Sequence, residues 1–127
     1  VPALHDWEYY RDNLKSLFVS HNIYDDMENS DYSQISRVDP KFQDREIVQE
    51  WTSLYYALIA EIDEWVGTIL NRLGDQVNNT LIVFTSDHGE MLGAHGMREK
   101  NNFYEEAARV PLFISFPGVI PQDRVVD

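Results

Sequence analysis

The sequence predicts an α/β fold, a parallel or mixed sheet with flanking helices, and three stretches carry that prediction. Ile47, Trp51, Tyr55, Leu58, Ile62, Trp65, Ile69 and Leu73 recur every three to four residues, the period of a helix that buries one face. Leu81, Ile82, Val83 and Phe84 form a continuous apolar run, the pattern of a strand covered on both faces. Residues 110–116, VPLFISF, repeat that pattern and close on Pro117-Gly118. Helix, strand, long connection and strand in this order imply a parallel sheet, with the long helix as the crossover that precedes the first strand.

The 127 residues, 43% of them hydrophobic, suit a single domain. The chain opens Val1-Pro2-Ala3 with no Met, basic n-region or apolar h-region, so it reads as a piece of a longer protein, without a signal or membrane segment of its own. With 22 acidic and 10 basic residues the net charge is −12, which sets the field against a nucleic-acid partner. Cysteine is absent, and with it go disulfides, thiolate metal sites and a cysteine nucleophile.

In chain order, Leu4, Trp7, Leu14, Leu17 and Phe18 predict a short amphipathic helix over residues 3–19. Residues 25–39, DDMENSDYSQISRVD, are polar and aperiodic and read as a surface loop. His5 and His21 have no neighbour at metal-ligand spacing and are assigned ordinary surface or packing roles. Asp39-Pro40 suits the N-cap and first position of the long helix, and Gly74 suits its C-cap. Glu46, Glu50, Glu61, Asp63, Glu64 and Arg72 fill its polar face, while Trp51, Tyr55 and Trp65 are expected to pack on the sheet. A polar turn over residues 75–79 leads into the strand, and Asn78-Asn79-Thr80 matches a glycosylation acceptor, meaningful only in a secreted eukaryotic protein.

The chemistry changes where the first strand should end. Thr85-Ser86-Asp87-His88-Gly89 puts a carboxylate beside an imidazole at the edge of an α/β sheet where ligands collect. Asp87 and His88 offer a hard oxygen and a borderline nitrogen to a divalent cation, and Gly89 leaves the backbone open to approach. On spacing alone, two structural roles compete evenly with this: Asp87 hydrogen-bonding the loop, and His88 as a partly buried polar residue. The connection over residues 90–109 is longer than two strands require, a mark of function in a loop at this edge. Within it, Gly93, His95 and Gly96 add mobile backbone and a second imidazole. Lys100 follows, an ammonium for an anion bound at the cation or simply a solvated lysine.

Thr85 to Gly93, then His95-Gly96, Lys100, Phe103, Glu105-Glu106, Arg109-Val110-Pro111-Leu112 and Pro117-Gly118, resemble the metal-binding segment of the sulfatase family in the alkaline phosphatase superfamily. Tyr55-Tyr56-Ala57, Ile62-Asp63, Val66-Gly67 and Ile69-Leu70 are similar to the helix those enzymes place before it, so the likeness covers about residues 51–118. It implies part of an alkaline-phosphatase-like sulfatase domain acting on a sulfate ester. It implies one divalent cation, calcium first and magnesium or manganese as alternatives, with Asp87 and His88 among its ligands. Many members carry Asn where this chain has His88, and imidazole suits manganese or zinc better than calcium. The resemblance makes Lys100 the sulfate-contacting lysine and matches His95 to a loop histidine of unassigned role. Glu105 and Arg109 match loop-to-strand residues without chemistry.

The family nucleophile is a formylglycine made from Cys or Ser in a Cys/Ser-x-Pro-x-Arg motif. These residues hold none: Ser115-Phe116-Pro117 is followed by Gly118-Val119. The Asp-Asp pair that the family uses as early metal ligands is not matched by Asp25-Asp26, which stands in the acidic loop. The expectation is a segment of a sulfuric ester hydrolase, inactive alone, that self-associates through an exposed sheet edge. A phosphonate or phosphate ester hydrolase of the same superfamily and a non-catalytic module are the alternatives.

Overall fold

The computed structural model describes residues 4–13 and 44–126. Helix α1 (Leu4–Asp12) matches the first part of the helix expected over residues 3–19, and the Asn13 amide closes it by donating to the Tyr9 carbonyl at 2.7 Å. The rest of that expected helix, the acidic loop with Asp25-Asp26, His21 and Asp39-Pro40 lie outside the described residues, as does the side chain of His5.

Helix α2 (Arg45–Leu73) starts at Asp44 rather than at Asp39-Pro40. Asp44 has extended backbone, and its carboxylate accepts the N–H groups of Glu46 at 2.9 Å and Ile47 at 3.4 Å, two donors that have no partner within the helix. At the far end Gly74 takes φ +52° and its N–H bonds the Leu70 carbonyl, so the expected glycine cap is where the helix stops. A 3₁₀ turn, Gly74–Asn79, follows.

The buried face of α2 is made of small residues. Val48, Thr52, Ser53 and Ala57 are buried, with the Thr52 hydroxyl donating to the Val48 carbonyl at 2.8 Å and Ser53 to Glu50 at 2.6 Å. Both hydroxyls are thereby satisfied within their own helix. Helix α1 packs on α2, where Tyr10 and Tyr56 stack with centroids 5.7 Å apart. The large apolar stripe behaves differently from its expectation: Ile62, Trp65 and Ile69 are 51%, 62% and 57% exposed. Ile59, Ile62 and Val66 face Phe84 and Phe113 across an open apolar cavity of about 370 Å³ instead of meeting a closed sheet. Trp51 and Tyr55 line a second groove against Glu90, Leu92, Arg98 and Glu99 of the long connection.

Strands β1 (Ile82–Thr85) and β2 (Leu112–Ser115) pair antiparallel, with Ile82 opposite Ser115 and Thr85 opposite Leu112. The parallel pairing expected for these two strands is therefore corrected. Parallel strands need a crossover that carries the chain back to the starting edge, and α2 precedes both strands. The connection between them holds only a 3₁₀ turn, Ala94–Gly96, and the four-residue helix α3 (Glu105–Ala108), so the chain simply returns. Nor are the two strand runs covered on both faces, since Leu81 and Val83 in the first and Leu112 and Phe113 in the second are more than half exposed. Among the described residues, a hydrophobic core cluster lies in the connection itself, where Met91, Ala94, Met97 and Ala107 are buried together with Tyr104 packed on them.

Replacing Asp44 by Ala should cost about 1 kcal/mol through loss of the cap. Chemical unfolding followed by helical circular dichroism reads that change.

Candidate active site

The end of β1 turns sharply because its side chains bond their own backbone. The Ser86 hydroxyl donates to the His88 carbonyl at 2.8 Å, and the Asp87 carboxylate accepts the His88 N–H at 3.0 Å. This places the Asp87 carboxylate, largely solvent-exposed, beside the half-buried imidazole, with Oδ2 3.4 Å from Nε2. The other ring nitrogen, Nδ1, lies 2.8 Å from the Gly89 carbonyl, which can only accept; Nδ1 therefore carries the hydrogen and Nε2 presents its lone pair outward. Lys100 meets that lone pair with its ammonium group.

Asp87, His88 and Lys100 thus converge although twelve positions separate the imidazole from the lysine. His95 is engaged otherwise: its ring stacks on Tyr104 at 3.9 Å and 13°, from a backbone at φ +53°. Desolvation, the largest single influence, pushes the Asp87 carboxyl upward. The His88 imidazole, the N–H groups of Asp87 and His88 and the Lys100 ammonium together outweigh it and hold the carboxyl below its ordinary range. One carboxylate and one outward imidazole nitrogen are donors that fit a divalent cation, with the ammonium standing as a cation against both. Among the described residues no third His, Cys, Asp or Glu completes a cluster.

Gly89 has a stricter reason than openness to a ligand. Its N–H donates to the Ala107 carbonyl at 2.8 Å, and a Cβ at this position would lie 2.0 Å from the Glu106 carbonyl oxygen. The Asp87-His88 turn is therefore docked backbone to backbone on α3. Two further residues at the site were not singled out from sequence. Glu90 lies within the Thr85–Gly93 run but has no role assigned to it there, Glu99 carries no motif, and only the structure shows the Glu90 carboxylate accepting the N–H groups of Leu92 and Glu99.

A sulfatase family model matches residues 8–127. The chain belongs to the sulfatase family. It is 48% identical over 69 residues to the choline-sulfatase of Rhizobium meliloti, an alignment that covers 53% of the chain and 14% of that protein. It is 42% identical over 74 residues to the N-acetylglucosamine-6-O-sulfatase of Bacteroides thetaiotaomicron, covering 57% of the chain and 13% of that protein. This sulfatase segment thus spans less than a fifth of the curated relatives it matches. Among solved structures, the putative sulfatase yidJ of Bacteroides fragilis superposes with a TM-score of 0.52 at 34% identity, over 87% of this chain and 23% of that one. A second superposes with a TM-score of 0.66 at 22% identity, over 94% of this chain and 36% of that one; it was solved with its substrate D-glucosamine-2-N,6-O-disulfate and attests the fold.

Two outcomes follow from the site. Gly89→Ala should destabilise the protein by at least about 1–3 kcal/mol, because the contact it forces is with backbone and cannot be relieved by a rotamer change; thermal unfolding measures it. Burial first, then the Glu90 charge and Tyr56, push the Tyr55 phenol above 10.0. Since the folded state then holds the phenolic proton more tightly than the unfolded state, stability falls as pH rises from 10 through the folded value. Tyrosine ring ¹³Cζ shifts should place the Tyr55 midpoint above 10, and Glu90→Gln should lower it.

Proposed function

We propose that this chain is the part of a sulfuric ester hydrolase that contributes two metal ligands, Asp87 and His88, and a lysine, Lys100, that contacts the sulfate. The observation that supports it is the convergence of these three groups at the end of β1, in a chain of the sulfatase family. The matched relatives are named for different organic groups, choline in one and N-acetylglucosamine in another. What they share with this segment is therefore best assigned to the sulfate end of the substrate.

Asp87 remains ionised because its carboxyl is held below the ordinary range, so it offers a full negative charge to a cation. The Nδ1 hydrogen bond to Gly89 fixes the ring and directs Nε2 outward. That nitrogen has one lone pair. When it is used for a metal ion, Lys100 is released to another acceptor, and a sulfate oxygen is the one the site would provide. A divalent cation held by Asp87 and His88, calcium first with magnesium or manganese as alternatives, would offset charge on the sulfate oxygens in the transition state. Its remaining ligands and the formylglycine nucleophile would come from outside these residues, which contain no Cys/Ser-x-Pro-x-Arg. The segment alone would then be inactive. Its exposed strands and apolar α2 stripe would be the surface on which the rest of the domain, or a second copy of the segment, packs.

In the full-length protein, Asp87→Ala and His88→Ala should lower metal content and aryl sulfate turnover together. Lys100→Ala should lower kcat/KM by about 10²–10³-fold, as for loss of one preorganised donor, with metal content kept. Full sulfate ester turnover in the Asp87→Ala/His88→Ala double variant, or faster turnover of phosphate than of sulfate esters by the parent, would overturn the reading.

A further inference from the structure

Glu90 directly follows the Asp87-His88-Gly89 turn, and its carboxylate is used on backbone. One oxygen, Oε1, accepts the N–H of Glu99 at 2.7 Å and that of Leu92 at 3.2 Å. Both of those residues have left-handed backbone, φ +65° at Glu99 and +44° at Leu92. The neighbouring Met91 completes the grip by donating its N–H to the Glu99 carbonyl at 3.0 Å. Glu99 is thus held at its own N–H and its own C=O, in a conformation that residues with a Cβ adopt only when their surroundings impose it. Lys100 is the next residue, and its ammonium reaches His88.

We propose that Glu90 is a positioning residue of the site, its carboxylate oxygen locking Glu99 in the left-handed turn that directs Lys100 back onto His88. The inference rests on the sulfate-contacting role given to Lys100 above. The short path makes the coupling direct: the same four-residue run that carries Asp87 and His88 ends in the carboxylate that sets the lysine. The part of Glu90 that matters is an acceptor oxygen at full glutamate reach. Its charge is secondary, because both donors are neutral amides. Glutamine keeps the reach without the charge, whereas aspartate keeps the charge and is one methylene too short.

The test uses the full-length protein, an aryl sulfate substrate and metal analysis, with Lys100→Ala as the reference. Glu90→Ala should lower kcat/KM by about 10–100-fold, the scale expected when a catalytic group is displaced by about 1 Å, with metal content unchanged. Glu90→Gln should stay within about threefold of the parent, since its amide oxygen still accepts. Glu90→Asp should fall with Glu90→Ala, and it replaces that variant if Glu90→Ala does not fold. Adding Glu99→Gly to Glu90→Ala should recover about fivefold or more, because glycine takes positive φ unaided. Amide exchange at Glu99 should be slow in the parent and Glu90→Gln and fast in Glu90→Asp.

Parental kcat/KM in Glu90→Ala or Glu90→Asp, alongside a damaged Lys100→Ala, overturns the positioning role while leaving Lys100 in place. Failure of Glu99→Gly to recover any of the loss overturns it as well, as does a Glu90→Gln variant weaker than Glu90→Asp. An undamaged Lys100→Ala instead overturns the reading of the site, and this inference with it.

Discussion

The candidate site depends on a backbone contact that only a glycine permits. Gly89 donates to the Ala107 carbonyl at 2.8 Å, and the Glu106 carbonyl oxygen occupies the space that a side chain at this position would need. That contact pins the turn carrying Asp87 and His88 against α3, at the far end of the connection. The buried methionines Met91 and Met97 then fill the space between, so the connection behaves as a small folded unit with its own core. Long connections usually carry function on backbone that is loosely held. Here the candidate side chains project from a connection that carries a buried hydrophobic cluster of its own.

Within that unit, polar side chains do the work that regular secondary structure does elsewhere. Ser86 and Asp87 cap the end of β1, Glu90 binds two amides, and Asn102 accepts the Tyr104 N–H at 3.0 Å. Each of these bonds satisfies a backbone group that no helix or strand would satisfy, which is why the turn holds a defined shape without regular hydrogen bonding. The shape in turn sets the electrostatics. A carboxylate, an imidazole and an ammonium are brought together, and His88, Lys100 and two backbone N–H groups hold the carboxyl below its ordinary range.

The apolar surfaces tell a complementary story. The α2 stripe and the β1–β2 pair carry the residues of a buried interface, yet Trp65, Phe113 and Leu112 are each more than 60% exposed. A contiguous exposed apolar surface of this kind marks an interaction face. The alignment with relatives agrees in scale, since the chain spans only 13–18% of the first three curated relatives.

How much of this was legible in the sequence depends on the range of the interaction involved. The 3.6-residue period of α2, its Gly74 cap and the two strand segments rest on local preferences, and the structure has them close to where the pattern puts them. The Asp87-His88 pair and Lys100 could be singled out because their side-chain chemistry is unusual at a strand end. The antiparallel pairing, the Asp44 cap in place of Asp39-Pro40, the reason for Gly89 and the use of Glu90 could not. Each rests on which distant backbone groups come together, and a one-dimensional pattern of apolar and polar residues does not encode partners. The residue types alone determined the elements and the ligand chemistry on offer; tertiary structure decided which groups meet, because hydrogen bonds and close packing act only between atoms already brought within a few ångströms.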